Sequence, residues 1–256
     1  MSNTHTLTSS GVLHRAVSRL TLLALACCAT WSSSPARAQD DRYELGRRLR
    51  VFEVAWDDQP DEAARLRSIT SIQRAVSQFF AFNFRGAAQA MDQARHALTS
   101  DQPAASERQW AESLYLSIDR RLVDRQAESV GGRLSEFYRT PNLAPPNTQA
   151  RLSLVGPGVP SMTLLVTTVE PLPRLITIPL RQASPREGDW TLRVEILVAG
   201  QVLSTMDQTL SIVDRLDDRL NGLKAALAAW PPGPETTDRA SARSLVELLA
   251  TFTQGK

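Results

Sequence analysis

Residues 190–196 are Trp190-Thr191-Leu192-Arg193-Val194-Glu195-Ile196, and this stretch decides the fold class of the second half of the chain. Its apolar residues alternate with polar ones. Successive side chains of a β-strand point to opposite faces, so a period of two predicts a half-buried strand. Ala199-Gly200 then predicts a turn into a partner strand over 202–213. The stretch therefore predicts a hairpin with one face toward a core.

The residues before this hairpin alternate in the same way. The apolar positions are Leu152 and Leu154, then Met162, Leu164 and Val166, then Leu175, Ile176 and Ile178. Several short strands separated by Pro and Gly turns predict an antiparallel sandwich over 148–213. The opening Gly188-Asp189-Trp190-Thr191-Leu192, with its hairpin, resembles the last strands of a bacterial immunoglobulin-like or fibronectin-III-like module. That resemblance implies a small β-sandwich.

The residues before 131 follow a helical period instead. Apolar positions at helical spacing predict a first helix over 41–57, a second from about Asp61, and a third after a break at 83–86. Ser106-Glu107-Arg108-Gln109 has capping-box spacing and predicts a fourth helix that continues through Leu122. The predicted stripes are Leu45, Leu49, Phe52 and Trp56; Ile69, Ile72, Val76, Phe79 and Phe80; Ala88, Met91, Ala94 and Leu98; and Trp110, Leu114, Ile118 and Leu122. Each stripe needs a covering neighbour, so a helical domain is predicted over 39–130.

The second and third predicted helices resemble a tetratricopeptide-type pair. The likeness rests on the Ala97-Leu98 ending and on Pro103 just after the turn. Such repeats require several stacked copies, and no second copy follows. A plain helical hairpin is the interpretation we favour.

Prolines mark the boundary between the two halves. Three of them lie in 140–147, where they fix the backbone and remove hydrogen-bond donors, so 131–147 is predicted to be a Pro-rich linker. Beyond 213 the helical period returns. Two amphipathic helices are predicted over 214–256, with apolar faces Leu216, Leu220, Leu223, Leu227 and Trp230, and Leu245, Leu248, Leu249 and Phe252. The predicted fold is α+β.

Residues 1–38 have the layout of a signal peptide. Arg15 and Arg19 precede the apolar run 20–29, and Ala36-Arg37-Ala38 supplies a cleavage pattern before Gln39. The run is about half the length that spans a bilayer, so no transmembrane helix is predicted. A lipid anchor at Cys27 or Cys28 is the alternative, because 25–28 approximates a lipobox. Cleavage after Ala38 would leave no cysteine, and we expect a secreted or periplasmic protein.

Charge argues against a nucleic-acid partner. The whole chain carries 29 Lys plus Arg and 27 Asp plus Glu. Removal of the leader takes away Arg15, Arg19 and Arg37 and no acid, which leaves 26 − 27 = −1. A nucleic-acid binder has a strong basic excess, so no nucleic-acid partner is predicted.

The residue inventory predicts no catalytic, cofactor-binding or metal-binding residue. His96 is the single histidine after the leader, and we expect it on a helix surface without a catalytic role. Neither a nucleophile elbow nor a phosphate loop occurs. Solvated positions are predicted for the acidic pairs Asp57-Asp58, Asp61-Glu62 and Asp217-Asp218 and for the arginine pairs Arg47-Arg48 and Arg120-Arg121. Core positions are predicted for Trp56, Trp110, Trp190 and Trp230.

A non-catalytic envelope or secreted protein that contacts another such protein is the leading hypothesis. A second hypothesis comes from 188–230, which resembles the segment before the hydrolase or peptidase domain of some large secreted bacterial enzymes. That resemblance implies a stand-alone accessory or substrate-binding relative. A carboxylate-based glycosidase is the third class.

Overall fold

The computed structural model describes residues 35–230 and 237–254, with side chains for 41–230 and 237–250. The leader segment 1–34, with the predicted lipid-anchor cysteines, lies outside the described residues. The described residues from Asp41 onward belong to one compact unit, and those before it to another. Helices come first, strands follow, and two helices close the chain, so the predicted α+β fold is confirmed.

Within the described residues, four helices precede the first strand. They are α1 (Pro35–Asp57), α2 (Glu62–Phe80), α3 (Phe84–Thr99) and the short α4 (Ser106–Ser113). The Asp61 side chain caps α2 by accepting from the Ala63 and Ala64 amides, and Asn83 caps α3 by accepting from the Gly86 amide. The second helix starts where it was predicted, whereas the third begins at Phe84, within the predicted break at 83–86. The first begins six residues earlier than predicted.

The strands form two sheets. They are β1 (Leu114–Ile118), β2 (Leu122–Asp124), β3 (Ser129–Glu136), β4 (Gln149–Val155), β5 (Met162–Thr168), β6 (Arg174–Pro179), β7 (Gly188–Val198) and β8 (Gln201–Val213). One sheet has the order β1-β3-β6, and the other β2-β8-β7-β4-β5. Strand β2 runs parallel to β8, so the larger sheet is mixed and not purely antiparallel as predicted.

The β7–β8 hairpin follows the sequence prediction closely. Leu192, Val194 and Ile196 are all buried, as period-two alternation requires. Ala199 and Gly200 have φ angles of 51° and 82°, and they connect the paired residues Val198 and Gln201. Two left-handed residues in a two-residue loop match the twist of the strands that they join.

The largest cluster of buried side chains among the described residues contains residues of both sheets. It takes Leu116 and Leu134 from the smaller sheet, Leu152 and Leu210 from the larger one, and Trp110 from α4. Two smaller clusters lie in the helical part, one around Phe137 and Tyr138 and one around Phe52 and Leu98. The helical part is therefore held to the strands near the end of β3.

The fourth predicted helix is wrong beyond Ser113. Leu114 and Ile118 lie four residues apart, a spacing that fits both a helical face and one face of a strand. Leu116 lies between them and is also buried, so the actual period is two. The Phe137 amide donates to the Ser113 carbonyl, which ends α4 at the sheet.

The predicted linker also needs correction. Gly131 and Gly132 belong to β3, and β3 pairs with both β1 and β6. Strand β2 likewise pairs with β8. Strands from before 131 thus share sheets with strands from after 147, and the segment 140–147 connects parts of one core. Thr148 at its end is buried, whereas Leu143 within it is 90 % exposed.

The closing helices are α5 (Leu216–Ala228) and α6 (Thr237–Gln254). Leu216, Leu220 and Val246 are buried, but Leu223, Leu245 and Leu248 are about half exposed. The two helices were therefore predicted correctly. Their apolar faces were expected to be fully covered, and that expectation was wrong. Phe252 lies outside the residues with described side chains.

Candidate functional site

A buried ionic cluster joins α1, α3, α4 and the end of β3. Its centre is Arg48, whose side chain is 3 % exposed. The guanidinium donates to the Glu44 carboxylate at 2.9 Å, to the Glu112 carbonyl at 2.8 Å, to the Leu114 carbonyl at 3.1 Å, and to Asp92 Oδ2. Its carbon Cζ also lies 5.5 Å from the ring centre of Phe137. The prediction that Arg48 is a solvated helix residue was wrong.

The electrostatics of this cluster favour its ionised form around Arg48. Burial acts to lower the pKa of Arg48, but Asp92 and Glu44 more than offset it and raise that pKa. Burial acts to raise the pKa of Glu44, but its bonds to Arg47 and Arg48 lower it. Tyr138 donates its hydroxyl proton to Asp92 Oδ2 at 2.8 Å. Burial and Asp92 together raise the pKa of Tyr138, so the hydroxyl remains a donor.

Glu112 is a further buried carboxylate of this cluster, and the positive charges around it do not fully offset the cost of its burial. Its side chain is 8 % exposed, and Oε1 accepts one bond from Arg95 Nη2 at 2.8 Å. Burial raises the pKa of Glu112 to about 7, with Arg95 opposing the rise and Asp92 adding to it. A carboxylic acid that titrates near neutral pH can act as a proton donor or acceptor. Nothing in the sequence pattern around 112 indicated this.

A cavity of about 350 Å³ opens beside Asp92 and Glu112. We call it the polar cavity, and define it by Asp92, Glu112 and Tyr138 at its buried end and by Arg67, Gln93 and His96 on its walls. His96 is half-buried, and its Nε2 lies 3.0 Å from the Gln102 carbonyl oxygen. His96 was expected on a helix surface without a catalytic role. The structure places it in a cavity lined by three carboxyl groups, those of Asp92, Asp101 and Glu112.

A second concavity lies among α1, α2 and α3 and has a volume of about 330 Å³. We call it the apolar groove, and define it by Leu45, Leu49, Val76, Phe79, Phe80 and Met91, with Arg42 as the one charged lining residue. Three residues of the predicted α2 stripe, Val76, Phe79 and Phe80, line this groove and are exposed, with Phe80 at 74 %, whereas Ile72 is half-buried against the Phe52 cluster. The stripe was predicted to be covered. Instead, the buried residues of α2 are the small Ala64, Ser68 and Ala75.

The remaining predicted positions divide between core and surface. Trp110 is buried in the core, as predicted for all four tryptophans. Trp56 and Trp190 are only half-buried, and Trp230 is 40 % exposed. The acidic pairs Asp57-Asp58, Asp61-Glu62 and Asp217-Asp218 are exposed or cap helix starts, as expected. Arg121 lies over the Tyr43 ring, 3.5 Å from its centre, and does not form a solvated patch.

Within the described residues, no group of three or more His, Cys, Asp and Glu side chains is arranged to hold a metal ion. None of the described helices combines the length and apolar character needed to cross a membrane. Comparison with protein-family models found no match, and neither did comparison with curated protein sequences.

Proposed function

We propose that this chain is an exported, non-catalytic protein that binds another envelope or secreted protein through the apolar groove. The observation that carries this proposal is the exposure of Leu49, Val76, Phe79 and Phe80 on adjoining helices, at 42 %, 49 %, 48 % and 74 %. Large apolar side chains grouped in one concavity mark interaction sites, because their burial by a partner removes apolar surface from water. The leader pattern of 1–38 supports export.

The shape and charge of the groove favour an amphipathic helix as the occupant. Three helices of this chain border the groove, which suits insertion of a further helix by its apolar face. Arg42 is the one charged residue in its lining. The guanidinium of Arg42 lies 5.8 Å from the Phe84 ring centre. A partner helix with apolar residues at a spacing of three to four and an acidic residue facing Arg42 therefore fits.

The first test uses a photoreactive residue at position 80 in the protein expressed in its native envelope. We expect cross-links to one partner protein, mapped by mass spectrometry to a helical segment with that apolar and acidic pattern. Position 175 is the matched control, because Leu175 is also 74 % exposed but lies on β6, outside the groove. Cross-links to a second copy of this chain, or equal yields from both positions, would contradict the proposal.

A substitution supplies the second test. Val76→Ser removes an exposed apolar side chain from the groove, so the melting temperature should change little while the cross-link from position 80 is lost. Leu175→Ser should change neither the melting temperature nor the cross-link.

The polar cavity favours a second candidate function, that of an accessory protein that binds a small substrate. Its buried carboxyl groups and amide side chains are groups that small-molecule sites use for recognition. In that case, ligand binding would depend on Asp92 and Glu112 and would be indifferent to Val76→Ser.

A further inference from the structure

The polar cavity has the size and the support of a small-molecule site. Its volume of about 350 Å³ falls in the range of ligand pockets. Its lining comes from α2, α3, the turn before α4, α4 itself and the residues after β3. The buried Arg48 cluster holds three of these elements together, so the lining is preorganised.

Two carboxyl oxygens at the buried end lack a donor. Asp92 Oδ2 accepts from Arg48 and Tyr138, and Glu112 Oε1 accepts from Arg95. Among the described residues, nothing donates to Asp92 Oδ1 or Glu112 Oε2, although both side chains are more than nine-tenths buried. Neither oxygen is among the fully buried side-chain atoms that lack a partner, so both are accessible from solvent and can accept a hydrogen bond from a ligand.

The basic side chains around the cavity do not supply that donor. Arg48 is engaged by four acceptors, and Arg95 pairs with Glu112. Arg67 and Asp101 are exposed lining residues of opposite charge, and His96 faces the Gln102 carbonyl. Arg108 acts on Glu112 only through its charge. A ligand that brings a cationic donor complements the buried end.

We propose that the polar cavity binds a small organic ligand by a primary ammonium group, which donates to Asp92 Oδ1 and Glu112 Oε2. An ammonium has three donors and no acceptor, which matches a lining with two carboxyl oxygens that accept no other bond. Ala97, Pro103 and Ala104 form an apolar part of the lining against which an aliphatic stem packs. This site is separate from the apolar groove, and the proposal does not depend on the proposed protein partner.

The protonation behaviour of Glu112 supports a cation. Burial raises its pKa to about 7, so ionisation of this group is unfavourable in the ligand-free protein. A bound positive charge would favour the ionised form. Binding should therefore strengthen about tenfold between pH 6 and pH 8, as the ionised fraction of Glu112 rises.

The test is an NMR titration of the isotope-labelled protein with n-butylammonium, with n-butanol as the uncharged match. We expect saturable shifts of the Gln93, Ala97 and Glu112 amide signals with n-butylammonium at pH 8, about tenfold weaker binding at pH 6, and no saturable shift with n-butanol. No saturable shift at pH 8, or equal binding of the alcohol, would overturn the proposal.

Variants locate the effect. Glu112→Gln should abolish n-butylammonium binding, whereas Glu107→Gln, at an exposed position of the same helix, should retain it. Ala97→Phe fills the cavity and keeps both carboxyl groups, so it should also abolish binding. It serves as an independent test where Glu112→Gln does not fold. Binding that persists in a folded Glu112→Gln or Ala97→Phe protein would refute the site.

Discussion

At the residue scale, Glu112 carries a cost of ionisation that the folded protein does not fully compensate. Burial raises its pKa from the ordinary 4.5 to about 7. Between these two values the folded state binds more protons than the unfolded state. The free energy of unfolding therefore falls as pH rises through this window, and the protein is more stable at its acidic end.

Glu112→Gln should remove this dependence. Between pH 5.5 and pH 8, the wild-type protein should lose about 2 kcal/mol of unfolding free energy more than the variant does, from a pKa difference of about 2.5 units. Urea titrations at the two pH values measure it. Glu107→Gln is the control and should behave as the wild type. Equal pH dependence in wild type and Glu112→Gln would show that Glu112 titrates normally.

Arg48 shows why the buried cluster escaped sequence analysis. Arg47 and Arg48 are adjacent on α1, and both bind Glu44. The spacing of Glu44 and Arg48 equally predicts a solvated ion pair. Only the approach of Asp92 and of the Glu112 and Leu114 carbonyls, 44 to 66 residues away, buries Arg48.

At the element scale, the end of β4 approaches the start of β7 through a glycine. A Cβ added at Gly156 would lie 2.2 Å from Cζ3 of Trp190. The Trp190 ring is half-buried against the main core, and its Nε1 donates to the Arg186 carbonyl at 2.8 Å. The absence of a side chain at 156 therefore makes room for the ring.

Gly156→Ala should destabilise the protein by about 1–3 kcal/mol, because the Trp190 ring must move out of its packed position. In a Trp190→Ala background the same change should cost much less, since nothing then occupies the space. Thermal or chemical unfolding of the four proteins of this cycle measures the coupling. Additive effects would mean that the ring does not lie over Gly156.

The small and the large residues of helix α2 lie in different environments. Its small residues Ala64, Ser68 and Ala75 are buried. Its large ones, among them Ile69, Val76 and Phe80, fall on the neighbouring face and remain exposed. Helical periodicity reports that a face is apolar, but does not report whether this chain or another covers it.

At the scale of the whole molecule, the chain before 140 and the chain after 147 share one core. Limited proteolysis should cut first within 140–147, because Leu143 there is 90 % exposed and the segment contains no strand. The two fragments should then remain together under native conditions, held by the pairing of β3 with β6 and of β2 with β8. Size-exclusion chromatography of the nicked protein, followed by denaturing electrophoresis, measures this. Fragments that separate without denaturant would favour two independent modules.

The sequence by itself determined the elements whose pattern of apolar residues fits only one type of secondary structure. The β7–β8 hairpin, the start of α2 and the two closing helices follow from alternation, caps and turn residues within a few positions of each other. The predicted helix was wrong at Leu114 and Ile118, because their spacing suits a helix and a strand equally. There the hydrogen bond from the Phe137 amide to the Ser113 carbonyl, across 24 residues, ends the helix.

Only the tertiary structure decided the pairing of the strands and the candidate sites. The polar cavity joins Arg67, Asp92, Glu112 and Tyr138, which lie on separate elements and share no local pattern. The raised pKa of Glu112 comes from desolvation, a property of what packs around a group and not of its neighbours in sequence. Local order in this chain is set by short-range backbone and side-chain preferences, whereas burial and charge compensation depend on contacts between distant segments.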